Sequence, residues 1–196
     1  PSEFVKGTFI VTFSKHLDLV KNKINHPLSL LGLGVHAGAI IGLILISGDL
    51  GVALVYCGIV ALMLFCAGLS LFYFLGAGVA IFIAIPYVWE FLADYQKNRI
   101  IYGFNPEADP EEYGYQAIMG RNALANGGFF GNGIHGGDYY KDLFACENDF
   151  AFSTLCEKFG ALGGIVVLLC LAIVVVRVFM IARTSRKDSG AFICIG

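Results

Sequence analysis

Long apolar runs decide most of what this chain can become. Leu28–Ser47, Gly51–Ala67, Leu71–Trp89 and Phe150–Met180 carry few charges and are broken mainly by His36 and scattered glycines. A helix of about 20 mostly apolar residues crosses a bilayer, and inside hydrocarbon only a helix or a closed barrel satisfies its own backbone. The expected fold is therefore all-α, a polytopic membrane helix bundle. Composition agrees: 57% of residues are hydrophobic, 14% are charged and the mean hydropathy is +0.74. Soluble domains carry about 25% charged residues.

A fifth apolar segment, Phe4–Val20, is interrupted by Lys6, Lys15, His16 and Asp18. It is expected to be a helix whose polar face is buried in the bundle, the alternative being an amphipathic helix lying in the interface. With it the bundle has about five spanning helices. The positive-inside rule then sets the orientation. Lys21 and Lys23 lie between the first two helices, and Arg177, Arg183, Arg186 and Lys187 lie at or beyond the end of the last. Placing both groups in the cytoplasm leaves Ser47-Gly48-Asp49 and the whole 90–148 stretch outside. Tyr87, Trp89 and Tyr95 then fall at the outer interface.

The chain reads as a single membrane domain over 1–196, with 90–148 as one large extracytoplasmic loop within it. It starts on Pro1 and ends on Gly190-Ala191-Phe192-Ile193-Cys194-Ile195-Gly196, which reads as the first turns of another apolar helix. The expectation is a fragment of a longer polytopic protein. The loop is rich in aromatics such as Tyr113, Tyr115, Phe129, Phe130, Tyr139 and Tyr140, and is expected to fold onto the membrane face with short helices. A net charge of -2, evenly spread, gives no reason to expect nucleic acid. Six cysteines (Cys57, Cys66, Cys146, Cys156, Cys170, Cys194) form no CxxC, and four sit in apolar runs as small hydrophobes. Cys146 and Cys156 are placed to pair near the outer surface, though nothing requires it.

Gly131-Asn132-Gly133-Ile134-His135-Gly136 matches GxGxxG, but no strand precedes it, so a dinucleotide site is rejected. The wider run Gly127-Gly128-Phe129-Phe130-Gly131-Asn132-Gly133 lets backbone pass close to a helix or a bound lipid. Asp149 and Asp49 each precede an apolar helix, where a carboxylate can serve as N-cap. Glu157 and Lys158 lie two turns into the last helix, and intramembrane charges are by default functional or paired. Lys97 and Arg99 can hold an anionic group or simply face solvent.

These residues, taken together, resemble the SEDS family (shape, elongation, division and sporulation), whose branches are RodA, FtsW and SpoVE. Pro1-Ser2-Glu3-Phe4-Val5-Lys6 is similar to its PSE-x-x-K helix start, and Gly48-Asp49-Leu50-Gly51-Val52-Ala53-Leu54 to its PDLGTAL turn. Tyr95–Ile100, Asn105–Pro110 and Gly114-Tyr115-Gln116 resemble the opening of the large loop in the RodA branch. Gly127–Gly133 is similar to GGLFGKG, and Asp149-Phe150-Ala151-Phe152 with Glu157 and Gly160 to DFIFAVIAEELG.

The resemblance implies a peptidoglycan glycosyltransferase that polymerises lipid II, closest to RodA, with N-terminal and C-terminal helices missing from this chain. It implies Asp149 as the catalytic base. Arg99, Lys97, Arg121, Glu157, Asp49 and Lys6 follow as substrate-binding residues, with Arg99 first in line for the pyrophosphate. That leaving group needs positive charge from Arg, Lys or a divalent cation; no other cofactor is implied. The implied partners are membrane lipids and a class B penicillin-binding transpeptidase, and the implied location is the bacterial cytoplasmic membrane. The chain departs from the pattern at Ser47-Gly48, Met119-Gly120, Phe144-Ala145 and Glu147-Asn148, where Glu147 offers a carboxylate near the one the pattern loses. Two other readings stay open. One is a transporter of polyprenyl lipids using His36, Glu157 and Lys158; the other is a non-catalytic family member acting as a scaffold.

Overall fold

The computed structural model describes residues 2–143 and 148–196, with side chains from Phe4 onward. Among these, all regular structure is helical: α1 (Ser2–Val20), α2 (Pro27–Ile46), α3 (Leu50–Cys66), α4 (Leu71–Phe91), α5 (Asp94–Phe104), α6 (Tyr115–Asn126), α7 (Ala151–Thr184) and α8 (Asp188–Ile195), with short 3-10 turns between. Three helices, α2, α4 and α7, are long and apolar enough to cross a membrane, and α3 is a shorter apolar helix. The protein is a polytopic all-α membrane bundle. Its chain divides into two compact units, 1–85 with 175–196 and 86–174.

In the first unit, α1 packs against α2, α3 and α8. Phe9, Phe13 and Leu17 recur at helical spacing, so they form one stripe, and they are buried with Leu33 of α2, Tyr56 and Met63 of α3 and Phe192 of α8. Phe9 and Phe13 stack at 5.2 Å, and His36 meets the Phe13 ring edge-on at 5.5 Å. The buried face of α1 is thus apolar. This corrects the expectation of an inward polar face: the Lys15 side chain is 68% exposed and faces Asp18 at 3.9 Å. His16 reaches a partner on the neighbouring helix, its Nδ1 lying 3.1 Å from Nδ1 of His36. Burying the lysine without a close partner would cost far more than leaving it wet.

Turn chemistry fixes the connections. Pro27 occupies the first turn of α2, where its missing N–H costs nothing. Gly48 takes φ 80° between α2 and α3, and the Asp49 carboxylate caps α3 by accepting from Val52 N–H at 3.1 Å. Asn25, between α1 and α2, accepts from Ser70 N–H through its side chain at 2.9 Å. Its carbonyl accepts from the Tyr73 hydroxyl at 3.1 Å. Lys21 Nζ lies 2.6 Å from Asp188 Oδ1. The turn after α1, the turn before α4 and the segment after α7 therefore meet at one end of this unit, which brings together the two basic clusters used to orient the chain.

The second unit holds the end of α4, α5, α6 and α7 as far as residue 174. Tyr102 of α5 stacks on Tyr113 at 5.5 Å, and Arg121 of α6 pairs with Glu107 at 3.1 Å. The stretch beyond Trp89 is thus folded around two short helices, as expected. Tyr87, Trp89 and Tyr95 are all exposed, as interfacial aromatics would be.

Replacing Phe13 by Ala should cost about 3 kcal/mol, because the ring is fully buried among aromatics. Leu19→Ala, at a side chain 74% exposed, should leave the thermal midpoint in detergent nearly unmoved.

Candidate functional site

The site is organised by a break in α7. At Gly160 the backbone takes φ 71° and ψ -174°, so two helical segments meet there without continuing each other. A break strands carbonyls before it and N–H groups after it, and at membrane depth these need partners. The run 127–133 supplies them. Asn132 and Gly133 N–H donate to the carbonyls of Glu157 and Lys158 at 3.0 and 2.9 Å. Ala161 and Leu162 N–H donate to the carbonyls of Gly128 and Phe129 at 2.9 and 3.2 Å. The glycine-rich run passes close to a helix, as its composition implied. The approach leaves no room for side chains, since a Cβ at Gly131 or Gly160 would overlap the facing backbone.

Glu157 stands just before the break and is fully buried. Its Oε1 accepts from Asn126 Nδ2 at 2.9 Å, Asp138 N–H at 3.1 Å and Tyr139 N–H at 3.2 Å. Its Oε2 accepts from Tyr140 N–H at 2.8 Å. Those three amides open the 3-10 turn Tyr139–Asp142, so Glu157 caps from a distance what no local residue caps. With no exposed surface and four donors engaged, Glu157 is a clasp holding the loop to α7. The sequence carried a signal in Glu157 three residues before Gly160, but not the identity of the donors. Beside it, the Lys158 ammonium lies 4.3 Å above the Tyr140 ring. The Lys141 ammonium, 2.8 Å from Asp138, holds that carboxyl below the usual carboxylate range.

Asp149 lies in the turn leading into α7 and is exposed. Its neighbour Phe150 packs against α6 so closely that a Cβ at Gly120 would fall 2.9 Å from the ring. Among the described residues no hydrogen bond or ion pair engages the Asp149 carboxylate, so the capping role is not taken up there. Asp49, by contrast, does cap α3, and its exposed carboxylate serves the first unit. Lys6, half-buried on α1, also belongs to that unit.

The candidate cations of the second unit differ in availability. Arg99 is exposed on α5, whereas Lys97 is half-buried. Residues two apart on a helix do not share a face, so these two do not converge on one phosphate. Arg121 is held by Glu107, in a pair exposed on both sides. Among the described residues no group of three or more His, Cys, Asp or Glu is placed to hold a metal. Glu147 and Cys146 lie outside the described residues, as do Phe144 and Ala145; Cys156 is a buried free thiol.

A broken membrane helix clasped by a glycine-rich loop, headed by an exposed carboxylate, defines a polytopic membrane protein with a structured surface loop. Residues 1–196 match the sequence profile of the FtsW/RodA/SpoVE family, described as cell cycle protein, and the chain belongs to that family. It is 33% identical to the probable peptidoglycan glycosyltransferase FtsW of Trichlorobacter lovleyi, over 100% of this chain and 52% of that protein. It is 32% identical to the stage V sporulation protein E of Bacillus subtilis, over 100% of this chain and 54% of that protein. Neither relative selects the RodA branch. The fold matches, with a TM-score of 0.69 and 24% identity, a chain in a solved structure on coordination of polymerization and crosslinking by a peptidoglycan synthase complex. That match covers 95% of this chain and 51% of the other. The chain spans about half the length of the curated relatives it matches.

Removing the Glu157 clasp should be severe, because Glu157→Ala leaves buried donors without an acceptor, at about 3 kcal/mol or more. Hydrogen exchange should accelerate at residues 138–142 first. Gly160→Ala, which adds a clash to a left-handed backbone, should lower thermal stability by about 3 kcal/mol.

Proposed function

We propose that this chain forms the catalytic portion of a peptidoglycan glycosyltransferase that polymerises lipid II in the bacterial cytoplasmic membrane. Family membership supports the reaction class, and the observation that carries the assignment to a residue is the exposed carboxylate of Asp149 at the head of α7, which no hydrogen bond or ion pair engages among the described residues. In this reading 1–196 is part of one membrane domain and the 90–148 loop is extracytoplasmic. The acceptor sugar's 4-hydroxyl loses its proton to Asp149 as its oxygen attacks the anomeric carbon of the lipid-linked donor. The bond to the pyrophosphate breaks in the same displacement. An α-linked donor then gives a β-linked product in one inverting step without a covalent enzyme intermediate.

Arg99 is the cation best placed to receive the leaving pyrophosphate, being exposed and on the same unit as Asp149. Arg121 can join it by exchanging Glu107 for a phosphate, since an exposed pair holds its partners by less than about 1 kcal/mol. Lys97 faces elsewhere on α5. The transport reading loses support from two of its three polar groups, because His36 is paired with His16 and Glu157 is consumed by the loop. A class B penicillin-binding transpeptidase is the partner this reading requires, in keeping with the synthase complex that contains the structural neighbour.

The test uses the full-length protein purified with its transpeptidase and supplied with lipid II. Asp149→Ala should lower polymerisation about 100-fold or more, the usual worth of a general base, with an unchanged melting profile. Full activity in that variant would remove Asp149 from the mechanism. Arg99→Ala should mainly raise KM if the arginine binds the donor's phosphates before and during transfer alike. Lipid scrambling without polymer would favour a transporter instead.

A further inference from the structure

Phe129 and Phe130 are the bulkiest exposed groups on the loop that clasps α7. They are 59% and 79% exposed and form an edge-to-face pair with centroids 5.1 Å apart. Leaving two such rings in water forgoes much of the stabilisation that their burial would give. They are not on a floppy tip. Gly128 and Phe129 carbonyls accept from Ala161 and Leu162, and Gly131 N–H donates to Gly127 O at 2.8 Å, so the rings sit at a fixed level along α7.

That level is informative. After Gly160 the helix runs through 161–184, about 24 residues or roughly 36 Å at 1.5 Å per residue. The hydrocarbon core is about 30 Å thick, so the break lies at or near one membrane boundary. Leu162, Ile165 and Val166, just past the break, expose apolar surface to the surroundings of the span. On the other side of the break, Lys158 lies over Tyr140. An apolar tip with a lysine and a tyrosine behind it is the order in which side chains meet lipid tails and headgroups.

We propose that the Phe129–Phe130 tip inserts into the acyl region of the leaflet at that boundary, continuing the lipid-facing surface of α7 and fixing the depth at which the loop rides. The occupant is membrane lipid rather than a protein groove. Gly128 and Gly131 flank the pair without side chains, so the two rings are what the tip presents.

Photocrosslinking in native membranes tests this. The full-length protein carries p-benzoylphenylalanine in place of Phe130 or, as control, in place of exposed Glu111 on the same unit. After irradiation, mass spectrometry should find several-fold more phospholipid adduct at position 130 than at position 111. No excess of lipid adduct, or adduct chiefly to a protein chain, would overturn the proposal. The result does not depend on polymerase activity, so it stands or falls apart from the glycosyltransferase reading.

Discussion

The break at Gly160 and the loop backbone that heals it are what the second unit depends on. A helix interrupted near a membrane boundary strands polar groups where water cannot be relied upon, and each such group costs several kcal/mol if left unmet. Four backbone hydrogen bonds from 128–133 meet that need. Because the partners come from a segment about 30 residues away in sequence, the same bonds that repair the helix also hold the loop. Glu157 then extends the grip to 138–140, using one buried carboxylate to start a second turn. Repair of the helix and construction of the surface are one event.

Much of this was legible in the sequence, though unevenly. The spans of α2, α3 and α4 followed from the apolar runs to within about two residues at either end, because nothing else competes with a long uncharged stretch. The Gly127–Gly133 run correctly announced a close backbone approach, since only glycine fits where two backbones meet. The Asp49 cap was readable because its partner lies three residues away. What failed was information held by distant partners. Glu157 read as an intramembrane charge either functional or paired, and its donors are Asn126 and three amides with no composition signal. The inward face of α1 was misjudged because charged positions drew attention from the Phe9–Phe13–Leu17 stripe.

The histidine pair in the first unit shows the same principle on a smaller scale. His16 and His36 are separated by 20 residues, yet their Nδ1 atoms approach to 3.1 Å between α1 and α2. One ring must donate and the other accept. The pair links α1 to α2, while the Lys15 side chain stays exposed at the surface. That division keeps α1 attached to its neighbours without a buried ion, whose desolvation would oppose folding.

The break also sets the distance of Asp149 from the apolar span. The sequence placed Asp149 directly before an apolar helix, where a carboxylate can serve as N-cap. In the structure the helix from Ala151 to the break intervenes, about nine residues or roughly 13 Å of rise. Asp149 therefore stands on the loop side of the break, a short helical segment away from the apolar span. The clasp is what makes that placement fixed rather than incidental, because α7 cannot straighten through Gly160 without giving up the bonds to the loop.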